Sequence, residues 1–171
     1  MKKKILFTAV LAFTLLLIAC GPSQNNSNPS SAKGTFTSLE PLVYDWGNVN
    51  IAGGNVTKTF TLRNDEKQPL LLTGAVTSCM CTTAVFNLQD GSKSPAFGMQ
   101  GGEEWSYEVQ PEESFEVTVI YDPMAHGPTA TGQIIRTVNV ISKPNTKEKG
   151  IVYTRIDVKG NVLSESDYQA L

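Results

Sequence analysis

The chain has 171 residues, 40% hydrophobic and 8% aromatic, with three cysteines, one histidine and a formal net charge of −2. That length suits a single domain with a core large enough to fold unaided. Beyond residues 2–4 there is no cluster of lysine or arginine, so nucleic-acid binding lacks its electrostatic source, and one histidine cannot make an HExxH metalloprotease site.

Lys2, Lys3 and Lys4 precede an apolar and small-residue run from Ile5 to Ala19, the charged and hydrophobic parts of a secretory signal. The run falls short of the about 20 apolar residues a membrane-spanning helix needs. Leu17-Ile18-Ala19-Cys20 resembles the bacterial lipobox. Residues 1–19 are therefore expected to be removed, leaving Cys20 lipidated as the first residue of the mature chain. Without the three leader lysines, 14 basic residues become 11 against 16 acidic ones, a formal net charge of −5.

Residues 20–34 follow as a lipidated linker. From Gly21 on they are mostly Ser, Asn, Pro and Gly, with nothing apolar larger than alanine, so they read as a flexible tether. Residues 35–171 form the domain. Together these segments predict a lipid-anchored protein of the cell envelope, at an outer membrane or cell surface rather than the inner membrane, with an envelope protein as its partner.

Along the domain the hydrophobic pattern has period two. Strands are expected over Leu42–Trp46, Val56–Arg63, Pro69–Val76, Thr82–Asn87, Ser114–Tyr121, Gln133–Ile141 and Ile151–Lys159, each bounded by Gly, Pro, Asn or Asp. In Ser114–Tyr121, Phe115, Val117, Val119 and Tyr121 point one way while Glu116 and Thr118 point the other. About seven short strands without sustained helical periodicity predict an all-β, immunoglobulin-like β-sandwich. Residues 88–111 break this rhythm with a long, Gly-rich connection carrying Phe97, Met99, Trp105 and Tyr107. Those side chains argue for an ordered flap over one end of the sandwich.

Tyr44-Asp45-Trp46-Gly47, Phe60-Thr61-Leu62-Arg63-Asn64, Pro69-Leu70 and Thr77-Ser78-Cys79-Met80-Cys81-Thr82 occur in an order and spacing that resembles the DUF1573 family of bacterial exported domains. The likeness extends through Ser94–Met99, Tyr121–Pro128 and Gly160-Asn161-Val162. It implies an immunoglobulin-like sandwich and no particular activity. Met80 stands where the family usually has glycine between the cysteines, which disfavours a tight left-handed turn there.

Lipidation of Cys20 leaves Cys79 and Cys81 as the only thiols of the mature chain. On an extended strand their Cα atoms would lie about 6.6 Å apart, at the long limit of disulfide geometry, so a disulfide requires a bulge or turn. It would close a very small loop and be easily reduced. Alternatively, two thiolates with the Met99 thioether and the His126 imidazole would form a soft-ligand site for copper. That arrangement requires the flap to fold over the cysteines, and a separation of more than about 10 Å between His126 and the sulfurs excludes it. A third arrangement, a Cys–His dyad oriented by Asp122, would be enzymatic, but an exported thiol beside a second thiol invites oxidation. The sequence therefore points to a non-enzymatic binding or assembly module whose special site surrounds Cys79 and Cys81.

Overall fold

The structure is a computed structural model describing residues 33–102, 104–144 and 150–171. The expected signal peptide, the lipidation site Cys20 and the tether as far as residue 32 lie outside the described residues. Gly34, which the sequence places at the tether's end, is buried, and its N–H donates to Glu66 Oε1 at 2.8 Å.

Among the described residues eight strands form: β1 (Val43–Asn50), β2 (Val56–Arg63), β3 (Leu70–Thr77), β4 (Thr82–Asn87), β5 (Tyr107–Val109), β6 (Ser114–Tyr121), β7 (Gly132–Pro144) and β8 (Val152–Leu163), followed by a short helix α1 (Glu165–Gln169). One sheet has the order β1-β8-β7-β3-β5, the other β2-β6-β4. All pairings are antiparallel except β1 with β8. The fold is the expected all-β, immunoglobulin-like sandwich. Its alternating inward residues make one core, in which Phe60, Phe86, Val117, Val119, Val138 and Ile156 are fully buried. Burying side chains of this size contributes about 1.5–3 kcal/mol each before entropy is counted.

The long connection differs from its expectation. It does not cap an end of the sandwich; it joins the sheets along one side. Phe97 exchanges backbone hydrogen bonds with Ala84 at 2.8 and 2.9 Å, and Asn87 bridges Lys93, so the segment runs antiparallel beside β4. It then crosses over and pairs as β5 with Leu70–Leu72 of β3. The reason is apolar: the Phe97 ring is 1% exposed and packs 5.2 Å from Phe86 and 5.7 Å from Trp105. A ring this large gains more from the core than from covering an edge.

Candidate functional site: a paired-sulfur centre

At one end of the sandwich a second apolar cluster gathers Val49, Ile51, Tyr121, Ile134 and Val162 around Cys81. The chain between β3 and β4 turns here. Thr82 N–H donates to the Cys79 carbonyl at 3.1 Å, closing a β-turn with Met80 and Cys81 at its centre. Neither central residue has positive φ, so this turn needs no glycine and Met80 is accommodated, in keeping with the sequence, where Met80 disfavours a left-handed turn. The cysteines are thus not on an extended strand: their Cα atoms are 5.2 Å apart and their sulfurs are bonded to each other.

Several contacts fix this turn. The Thr77 hydroxyl lies 3.0 Å from the carbonyl oxygens of both Cys79 and Thr82. Ser78 N–H donates to the Thr137 carbonyl, and Thr137 N–H donates to Ser78 Oγ, both at 2.9 Å, tying the turn to β7. Asp122 N–H donates to the Cys81 carbonyl at 2.9 Å, tying it to the end of β6. These contacts hold the backbone of the turn from three sides without using either sulfur.

Each sulfur has its own polar neighbour. After β6 the chain folds tightly, with Met124 N–H donating to Asp122 Oδ1 and Gly127 N–H to the Met124 carbonyl, both at 2.8 Å. This carries the exposed His126 to 3.1 Å between its Nε2 and Cys79 Sγ. On the buried side, Arg136 of β7 donates from Nε to Cys81 Sγ at 3.0 Å and from Nη1 to the Ile135 carbonyl at 2.9 Å. Its guanidinium carbon lies 5.9 Å from the centre of the Tyr121 ring, which also stacks on Trp46 at 5.7 Å. Burial pushes the Tyr121 phenol above its usual range, with Arg136 opposing and Asp122 reinforcing that shift.

Of the side chains singled out from the sequence, Cys79, Cys81 and His126 meet here: one ligand atom from each lies within 4.8 Å of the others. Met99 stands half exposed on the Gly98–Gly101 turn, whose Gly98 carbonyl accepts the Thr77 N–H. Met80 and Met124 are exposed. The Asp122 carboxylate shapes the turn before His126 by accepting a backbone N–H. Arg136 was not foreseen. It lies 55 positions from Cys81 on a strand whose alternation marks it only as half solvated, and no local signal joins the two.

Residues 37–93 match the model of a family described as "Protein of unknown function (DUF1573)". The match covers about a third of the chain. This segment contains β1 to β4 and both cysteines of the turn, whereas His126 and Arg136 lie beyond the matched residues. No curated protein matches the chain. Among solved structures, a protein of unknown function from Porphyromonas gingivalis W83 is similar, with a TM-score of 0.51 and 18% identity, covering 79% of this chain and 51% of that one. The chain thus spans about half the length of that protein. The ASH/PapD-like domain 7 of human CEP192 has a TM-score of 0.47 at 10% identity, covering 85% of this chain and 96% of that one. The YadV chaperone has 0.43 at 12%, covering 74% and 50%. The Porphyromonas likeness around the matched segment is one of fold alone.

Proposed function

We propose that the chain is a lipid-anchored, extracytoplasmic binding module without catalytic activity. It is tethered through Cys20 to an outer membrane or cell surface, and its working centre takes a soft metal ion such as Cu(I) once the Cys79–Cys81 bond is reduced. The observation that carries this reading is the convergence of the Cys79, Cys81 and His126 ligand atoms within 4.8 Å. Thiolate and imidazole together suit Cu(I), and a disulfide must open before its sulfurs can serve as ligands. The centre lies at the surface, where an envelope protein could deliver or accept an ion. The acidic mature chain favours a cation over nucleic acid.

The test is competition between the full chain, reduced in detergent micelles without oxygen, and a Cu(I) chelator. Cys79→Ser and His126→Ala are each expected to weaken affinity by at least tenfold, and unchanged affinity in both overturns the metal reading. Cys20→Ser is expected to release the chain from membranes; retention of that variant overturns the lipid tether.

A further inference from the structure

The two sulfurs of the centre are not equivalent. Cys81 is 2% exposed and packed among apolar side chains, whereas Cys79 is only partly buried and its sulfur meets His126 at the surface. Arg136 donates to the buried sulfur. A guanidinium keeps its charge at every physiological pH and stabilises an adjacent anion through a charge-assisted hydrogen bond. Thiol–disulfide exchange runs faster when the departing sulfur is stabilised as a thiolate, and it occurs at the sulfur an incoming group can reach. A bond serving only as a staple needs neither feature.

From this asymmetry we infer that Cys79–Cys81 is a directional exchange disulfide, attacked at Cys79 by a protein dithiol, with Cys81 departing against Arg136. In the first step a thiolate of the dithiol bonds to Cys79 Sγ. The Cys79–Cys81 bond breaks, and its electron pair goes to Cys81 Sγ, which becomes a thiolate facing the Arg136 N–H. In the second step the dithiol's other thiolate attacks its partner sulfur in the mixed disulfide, and Cys79 leaves as a thiolate. Two electrons have then passed from the dithiol, now a disulfide, to this chain, now a dithiolate. The partner is thus a reduced dithiol protein with an exposed, protruding nucleophilic cysteine, because Cys81 is out of reach.

The experiment uses the oxidised full chain in detergent with no metal present, so its outcome is separate from that of the Cu(I) competition. Brief exposure to glutathione, followed by acid quench and alkylation, is expected to place glutathione on Cys79 and the alkyl group on Cys81, as located by fragment-ion mass spectrometry. Glutathione on Cys81, or no reduction by millimolar dithiothreitol, overturns the inference. This arm requires no variant. In a second arm Arg136→Gln is expected to slow reduction by dithiothreitol roughly tenfold, with Arg136→Lys slowed less. A folded Arg136→Gln variant reduced at the wild-type rate overturns the role given to Arg136.

Discussion

A Cβ added to Gly74 would stand 2.9 Å from Cε1 of Phe97, so this glycine in β3 and this aromatic ring in the long connection occupy adjoining space that neither could share with a side chain. Gly74 also has φ of +135°, at a register shift in the β3–β7 ladder. Gly102 approaches the same ring from the other part of the connection, where an added Cβ would collide with Cδ1 of Phe97. The ring that closes the side of the sandwich is therefore seated against bare backbone, and only glycine permits that.

Gly74→Ala is expected to destabilise the fold by about 2 kcal/mol or more, part from the contact with Phe97 and part from the backbone angle. Phe97→Ala removes a fully buried ring and should cost about 3–5 kcal/mol. Because the two share one space, the double variant should lose less than the two single losses combined, with a coupling of about 0.5–3 kcal/mol. Urea denaturation of all four proteins measures this. Strict additivity would show that the ring does not bear on Gly74.

Asn64 ties the turn after β2 to β5 from a fully buried position. Its Nδ2 donates to the carbonyls of Gln68 at 3.0 Å and Val109 at 2.9 Å, while Oδ1 accepts the Glu66 N–H at 2.9 Å. Asn64→Ala strands the Val109 carbonyl in a buried place, which costs about 1–3 kcal/mol, and removes two part-buried bonds that water can partly replace. A loss of about 2 kcal/mol or more is expected from denaturant unfolding. A loss below 1 kcal/mol would mean that these groups find other partners.

The sequence disclosed strands where alternation and turn residues agree. Val56–Arg63, Thr82–Asn87 and Ser114–Tyr121 are found with the limits their pattern predicts, because each has an apolar face and ends at a polar or turn residue. β7 and β8 run further than expected, since their ends are set by pairing with each other, as at Gly132 with Val162, rather than by local preference. β5 was hidden in a Gly-rich stretch: Tyr107–Val109 is a strand only because Leu70–Leu72 offers it an edge. At the site, the residue types of Cys79, Cys81 and His126 were legible, but their meeting was not, for it depends on the fold returning after β6. Arg136 illustrates the limit most clearly. A cation that matters through one sulfur 55 positions away leaves no periodic trace.

Tyr107 provides a titration that reports on β5. Its hydroxyl donates to Glu113 Oε1 at 2.7 Å, and this bond to a carboxylate pushes the phenol up to about 12. The unfolded phenol titrates near 10. The folded state thus holds its proton more tightly, so the stabilisation is fully present below about pH 10 and is lost as pH rises from there through about 12. Tyr107→Phe should be less stable than the parent at pH 9 and should show a shallower decline between pH 10 and 12. Denaturation at several pH values checks this, and parallel curves for the two proteins would refute it.

The Cys79–Cys81 bond closes a loop across a sequence separation of only two. Loop closure of that size restricts the unfolded chain by about 1.5 kcal/mol, below the usual 2–5 kcal/mol lost with a native disulfide of a small exported domain. The turn around it is also held by Thr77, Ser78, Thr137 and Asp122, none of whose bonds involves sulfur. Reduction of the full chain with dithiothreitol should therefore lower unfolding free energy by less than about 2 kcal/mol and leave the β-sheet circular dichroism unchanged. Cys79→Ser should behave likewise. A loss of 4 kcal/mol or more would make the bond a structural staple whose opening the fold could not tolerate, and would leave no room for a reversible centre. A small loss fits a bond that the domain can open and close while Arg136 and His126 stay in place to receive the separated sulfurs.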